Sequence, residues 1–156
     1  MSPETAAAHI EIQQVIYRQA RGVDWGDAAM VAGAYHPDGV EGHGPWTGLG
    51  RDYAQTVAAR RKEIEAPTQR HVTNILIELR GDEADVESYY IAYPVQVTPE
   101  GPVRLFACGR YLDRFEKRDG RWAIARRLSI IDAHRAELPG EPWPGAAAFP
   151  AGGQAV

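Results

Sequence analysis

Four long strand patterns joined by short turns occupy the second half of the chain, and they narrow the possible folds more than any other feature. The predicted strands cover residues 69–79, 84–97, 103–117 and 122–133. The turn at Asp119-Gly120 predicts a tight hairpin, because Asp-Gly readily supplies the positive φ angles that such a turn requires. An antiparallel sheet of hairpin-linked strands is therefore expected.

The first half of the chain favours helices. Ser2 is a candidate N-cap before Pro3, and apolar residues then recur at the three-and-four spacing of one helical face as far as Asp24. Further helices are predicted at 27–35 and 51–64, with a glycine-rich loop at 36–50. Helices gathered before strands predict an α+β domain, with helices packed against a curved antiparallel sheet.

A change of composition after residue 138 divides the chain. We expect one domain over residues 1–138 and a Pro-, Gly- and Ala-rich C-terminal tail over 139–156. The tail has no periodicity, which is typical of a disordered end. Its large aromatic residues, Trp143 and Phe149, indicate the alternative that it lies over a neighbouring subunit.

The charge balance argues against two classes of partner. With 17 basic and 21 acidic residues, the formal net charge is −4. Nucleic acids and anionic membranes both require a concentrated basic surface, so neither is expected as a partner.

No signal peptide or apolar stretch of membrane-spanning length is visible, and a cytoplasmic protein is expected. A lone cysteine, Cys108, excludes an intrachain disulfide and a cysteine-based zinc site.

Several segments together resemble one family. They are residues 13–17, 20–27, 35–39, 70–74 and 109–122. In these segments the chain resembles the SnoaL-like branch of the nuclear transport factor 2-like (NTF2-like) superfamily, over about residues 8–135. The superfamily is a cone with a pocket at its mouth, and it includes scytalone dehydratase, bile-acid 7α-dehydratase, hexachlorocyclohexane dehydrochlorinase and ketosteroid isomerase, as well as non-catalytic members. One scaffold hosts many activities, so the resemblance speaks more for fold than for function.

The resemblance implies a catalytic pair, Asp24 and His71. Dehydratase and dehydrochlorinase members pair an aspartate at the end of the first helix with a histidine early in a strand. A neutral imidazole suits proton abstraction near neutral pH, and a carboxylate would fix its tautomer. The alternatives are that Asp24 caps a helix and that His71 is a hydrogen-bonded core histidine.

Strand alternation supports this assignment from the residues themselves. His71 shares a predicted face with Thr73, Ile75 and Ile77, which directs it towards a core or pocket. On the last strand Arg127 shares a face with small residues. The resemblance assigns Arg127 a role in assisting the leaving group, and a salt bridge at the rim is the alternative.

Aromatic and amide side chains complete the predicted site. The candidate substrate-binding residues are Tyr17, Trp25, Tyr35, Tyr53, Asn74, Tyr89 and Tyr111. Such a lining would suit a small, apolar, cyclic substrate.

A metal or cofactor is not expected. His36, Asp38, Glu41 and His43 match no ligand spacing typical of zinc, and the sequence has no phosphate-binding loop or dinucleotide fingerprint.

The sequence therefore predicts a cofactor-free lyase, a dehydratase acting on a steroid-like or polyketide-like hydroxy compound. An isomerase using the same proton abstraction and a non-catalytic binding domain are the alternatives. A homo-oligomer is expected, trimer ahead of dimer.

Overall fold

A computed structural model describes residues 1–64 and 68–136. Its helices are α1 (Pro3–Trp25), α2 (Ala28–Gly33) and α3 (Gly50–Lys62). Its strands are β1 (Tyr35–His43), β2 (Trp46–Leu49), β3 (Gln69–Arg80), β4 (Glu83–Tyr93), β5 (Val95–Thr98), β6 (Gly101–Arg118) and β7 (Arg121–Ala136). The predicted tail and its aromatic anchors lie outside the described residues.

The ends of the first two helices follow local rules. The Ser2 side chain accepts a hydrogen bond from the Thr5 N–H, and Gly26 ends α1 in the left-handed conformation at φ 71°. Asp27 caps α2 by accepting from the Met30 N–H at 2.9 Å. The predicted start and end of α1 are thus confirmed, and the capping role falls to Asp27, which leaves the Asp24 carboxylate free for other partners.

The strands form one curved sheet in the order β2-β1-β7-β6-β4-β3, with β5 paired to β6 outside this path. The pairings are antiparallel except for β1 with β7, which is parallel. The predicted α+β class and NTF2-like cone are confirmed. The hairpin at Asp119-Gly120 is also confirmed, since both residues have positive φ.

The segment at 36–50, predicted as a glycine-rich loop, is instead largely the β1–β2 hairpin. Gly44 has φ 60° in its turn. Gly42 pairs with Thr47 across the hairpin and with Leu128 of β7. Glycine usually weakens a strand, but two paired neighbours supply backbone hydrogen bonds that compensate for the missing side chains.

An irregularity in β3 changes which side chains face inwards. Asn74 has φ 50°, and the register with β4 shifts between Thr73 and Leu76. Before the shift Arg70 and Val72 face the helices, and after it the odd-numbered residues do. A bulge of this kind reverses the alternation, so the face predicted for the first part of β3 is wrong.

Apolar side chains of the helices and of the concave sheet face form the core. Ile12, Ile16, Phe115 and Ile124 are fully buried there, and Trp122 is nearly so. The convex face has no helix against it in the described chain. No helix among the described residues has the length and hydropathy needed to cross a membrane.

Candidate active site

Asp24 lies at the end of α1 and is bound by the start of β3. Its Oδ2 accepts from the Arg70 backbone N–H at 2.8 Å, and its Oδ1 lies 3.3 Å from Nε of Arg70. The Thr68 hydroxyl donates to the Asp24 carbonyl oxygen at 3.0 Å. Burial raises the pKa of Asp24, and the Arg70 guanidinium opposes this effect. Asp24 is therefore held between the end of α1 and the start of β3, and its partner is an arginine.

His71 points to the other side of the sheet. It is exposed and pairs in register with Ile91, itself exposed on the convex face. The prediction that His71 faces a pocket is wrong, because the irregularity at Asn74 reverses the alternation on which it depended. Among the described residues, Asp24 and His71 form no hydrogen bond, so their catalytic partnership stays a prediction that this geometry does not favour.

Arg127 is buried in the core. Its Nε and Nη2 donate to the two Asp113 oxygens at 2.7 and 2.6 Å, and the guanidinium lies 4.2 Å from the Tyr111 ring centroid. Burial disfavours the Arg127 charge, but the Asp113 carboxylate outweighs it and the pKa of Arg127 lies well above its usual value. The arginine thus forms a core ion pair, neither the predicted leaving-group contact nor the alternative salt bridge at the rim.

The predicted substrate-binding residues divide into two groups. Tyr17, Trp25, Asn74 and Tyr89 are exposed. Tyr35, Tyr53 and Tyr111 are buried inside the cone, where burial raises the pKa of each phenol. The first group does not converge with the second, because α1 and the convex sheet face direct it outwards.

A different carboxylate and imidazole, those of Glu41 and His43, lie in contact inside the cone. Nδ1 of His43 lies 3.4 Å from Oε1 of Glu41. The Tyr35 hydroxyl donates to Oε2 of Glu41 at 2.7 Å, and Nε2 of Gln19 donates to the Tyr35 oxygen at 3.5 Å. Glu41 is 1% exposed and the His43 side chain 34%. A buried carboxylate, anchored by a tyrosine, thus contacts an imidazole that is one-third exposed.

The His43 ring opens on a cavity of about 140 Å³ at the cone mouth. The imidazole stacks on the Tyr53 ring, with centroids 5.4 Å apart. The residues lining this mouth cavity are Val23, His43, Tyr53, Val57, Arg60, Arg61, Ile64, Thr68, Arg70, Pro94 and Val95. A mostly apolar wall with a few convergent polar groups is typical of a small-molecule site.

Sequence reasoning missed His43, Glu41 and Arg70 as site residues. Glu41 and His43 are two apart, and in a strand that spacing places both on one face. The alternation identifies this pair only if the segment is a strand, and its glycine content favours a loop. The four residues considered as a metal cluster do not converge, because His36 Nε2 contacts the Glu116 carbonyl oxygen and Asp38 pairs with Arg118.

A curved sheet wrapped on helices, with a cavity at its mouth, defines the nuclear transport factor 2-like class. The sequence matches the SnoaL-like domain family over residues 4–128, and the chain belongs to that family. No curated protein matches it.

Solved structures agree on the fold. Rv3472 of Mycobacterium tuberculosis, a protein of unknown function, is 27% identical, with 85% of this chain and 77% of that chain covered at TM-score 0.70. A provisionally named scytalone dehydratase of Novosphingobium aromaticivorans is 20% identical, with 90% of this chain and 94% of that chain covered at TM-score 0.74. A type 2 hexachlorocyclohexane dehydrochlorinase, LinA, is 19% identical, with 91% of this chain and 97% of that chain covered at TM-score 0.77. Two of these three relatives therefore carry the name of a lyase.

Proposed function

We propose that the chain is a cofactor-free lyase that removes water from a small cyclic hydroxy compound in the mouth cavity. The observation that carries this proposal is the Glu41–His43 pair, whose imidazole lines the cavity while its carboxylate is buried behind it. The lyases among the structural relatives support the reaction class.

In this proposal His43 is the general base. If Nδ1–H donates to Glu41, the neutral tautomer leaves Nε2 free to take a proton from carbon. Glu41 then stabilises the imidazolium as it forms, and the Tyr35 hydrogen bond holds Glu41 in place. The 3.4 Å separation of His43 and Glu41 is long, as is common for catalytic hydrogen bonds before substrate binds.

The elimination balances without any further reactant. His43 takes a proton from the carbon next to an activating group, and the C–H electron pair becomes the second bond of a new double bond. The carbon–oxygen bond on the neighbouring carbon breaks, and the imidazolium returns the proton to the leaving hydroxyl, which departs as water. Burial raises the pKa of Tyr53, so its phenol stays protonated and is able to donate a hydrogen bond beside His43.

Incubation with steroid and aromatic polyketide hydroxy-ketones tests the reaction class. We expect at least one compound to lose one water, detected by mass spectrometry. A product of unchanged mass with a shifted double bond would identify an isomerase instead. Tight binding without any turnover across the panel would contradict the lyase and support a binding domain.

We also propose that the convex sheet face joins copies of the chain, a trimer ahead of a dimer. Leu76, Leu112 and Leu128 are 63%, 37% and 40% exposed there, and Leu112 pairs with Leu128 in register. An apolar surface of this kind is usually an interface. It follows β3, β6 and β7 and surrounds a groove of about 440 Å³.

Light scattering on the Leu128→Lys variant tests this interface. We expect the intact protein to have an oligomeric mass and the variant a lower one, because a buried lysine without a partner destabilises an interface. Ile10→Lys is the matched control, since Ile10 is 60% exposed on α1. A monomeric mass for the unmodified chain would defeat the proposal.

A further inference from the structure

Positive charge is concentrated at the mouth of the cone. Arg60, Arg61 and Arg70 line the mouth cavity together with His43, and no carboxylate is among its described lining residues. Glu63 lines an adjoining groove of about 430 Å³ that shares Arg60 with the cavity. The chain as a whole has a net charge of −4, so the positive charge of this cavity wall is opposite in sign to the charge of the whole molecule.

Arg70 is the most enclosed of these cations. Its side chain is 12% exposed, and Asp24 contacts it from the Nε side at 3.3 Å. Asp24 is also held by the Arg70 backbone N–H at 2.8 Å, so the aspartate and the start of β3 form one unit. Nε of Arg70 is buried without a hydrogen-bond partner, and Nη1 and Nη2 donate to none of the described residues, although a guanidinium offers five donors. The two terminal nitrogens of a positioned guanidinium are therefore available to a ligand.

The other two arginines differ in how firmly they are held. Arg61 donates from Nη1 to the Ile64 carbonyl oxygen, which fixes its guanidinium beside the cavity. Arg60 is exposed and forms no ion pair within the described chain. Asp24 offsets one of the three positive charges, and no carboxylate lines the cavity itself among the described residues.

We infer that the mouth cavity takes an apolar ring compound bearing a carboxylate, with the carboxylate on the free fork of Arg70. This inference rests on the proposed function, since it takes the mouth cavity as the substrate site. The planar guanidinium matches a carboxylate in geometry and binds it with two parallel hydrogen bonds. Val23, Val57, Ile64 and Val95 supply the apolar contacts for the ring.

The same placement fits the elimination. His43 and Arg70 line one cavity, so a carboxylate on Arg70 brings its neighbouring C–H towards the imidazole. Negative charge that develops on the carboxylate oxygens as the proton leaves is stabilised by the guanidinium already in contact with them. The substrate class is thus a cyclic hydroxy acid that loses its proton from the carbon next to the carboxylate.

Calorimetric titration with naphthoate and its neutral analogue naphthamide tests the inference. We expect the full chain to bind naphthoate at least about tenfold more tightly, because a charge-assisted fork is lost with the amide. Arg70→Lys keeps the charge that Asp24 requires but lacks the fork, so it should remove most of this preference. Arg60→Gln should weaken naphthoate binding by roughly two- to fivefold, as expected for an exposed charge.

Lys62→Gln is the matched control for Arg60→Gln. Lys62 is exposed on the same helix, α3, and does not line the cavity, and its substitution changes the net charge by the same amount. It should leave both dissociation constants unchanged. Equal constants for the two compounds in the wild type, or an undiminished preference in a folded Arg70→Lys variant, would overturn the inference. Binding is read without turnover, so a failure of the water-loss assay is distinguishable from a failure of carboxylate recognition.

Discussion

Replacing Arg127 with methionine should lower the free energy of unfolding by about 3–5 kcal/mol, measured by urea unfolding. The Arg127 side chain is 1% exposed, and the Asp113 side chain beside it is 0% exposed. Removing the arginine leaves the Asp113 carboxylate buried without its cation, and it also removes the contact with the Tyr111 ring. A loss below about 1 kcal/mol would contradict a core ion pair.

The double variant Arg127→Met, Asp113→Leu is the control. Replacing both partners of a buried ion pair with apolar groups is often neutral or stabilising, so the second substitution should recover at least half of the loss. Full recovery is not expected, because the Arg127 charge also acts on Glu41 and Tyr35.

The folding stability of the Arg127→Met variant should also depend more strongly on pH than that of the wild type. Burial already raises the pKa of Asp113, and Arg127 opposes that rise, so the pKa rises further in the variant. A raised pKa means that the folded state binds the proton more tightly. Protonation therefore supports folding at low pH, and this support is lost as pH rises through the folded-state pKa. The free energy of unfolding of the variant should therefore differ less from that of the wild type in mildly acidic buffer than above neutral pH.

His43→Ala should lower kcat on a substrate found in the panel by about 10²–10⁴-fold, the range for a positioned general base. The expected cause is loss of the imidazole from the cavity wall, since the side chain is one-third exposed and supports little core packing. Glu41→Gln should lower kcat less and shift its pH profile, because the amide keeps the shape but no longer stabilises the imidazolium. Unchanged kcat in folded His43→Ala would remove His43 from the mechanism.

The order of elements was predictable from the sequence, and the β1–β2 hairpin was not. Caps such as Ser2 and turns such as Asp119-Gly120 are local signals, read directly from residue type. Residues 36–50 are rich in glycine, and their strand structure depends on pairing with β7, more than 80 positions away in the chain. Pro94 likewise separates β4 from β5 inside a segment predicted as a single strand, because proline has no N–H to donate to a ladder.

The position of Asp24 in the chain's fold was predictable, but the side chain that meets it was not. Asp24 lies at the end of helix α1, as the sequence predicts. His71 does not, since a single residue with positive φ, Asn74, exchanges the two faces at the start of β3 and places Arg70 inside. Alternation along a strand cannot reveal one extra residue, whereas one extra residue decides which of two neighbouring side chains meets Asp24.

Turnover of His43→Ala and His71→Ala, measured side by side on the same substrate, tests the central claim most directly. The two variants remove the same imidazole, one from the mouth cavity and one from the convex face. If the mouth cavity is the active site, His43→Ala should lose at least about a hundredfold in kcat/KM while folded His71→Ala stays within about twofold of wild type. A loss confined to His71→Ala, in a protein that folds and assembles as wild type does, would contradict the assignment and restore Asp24 and His71 as the catalytic pair.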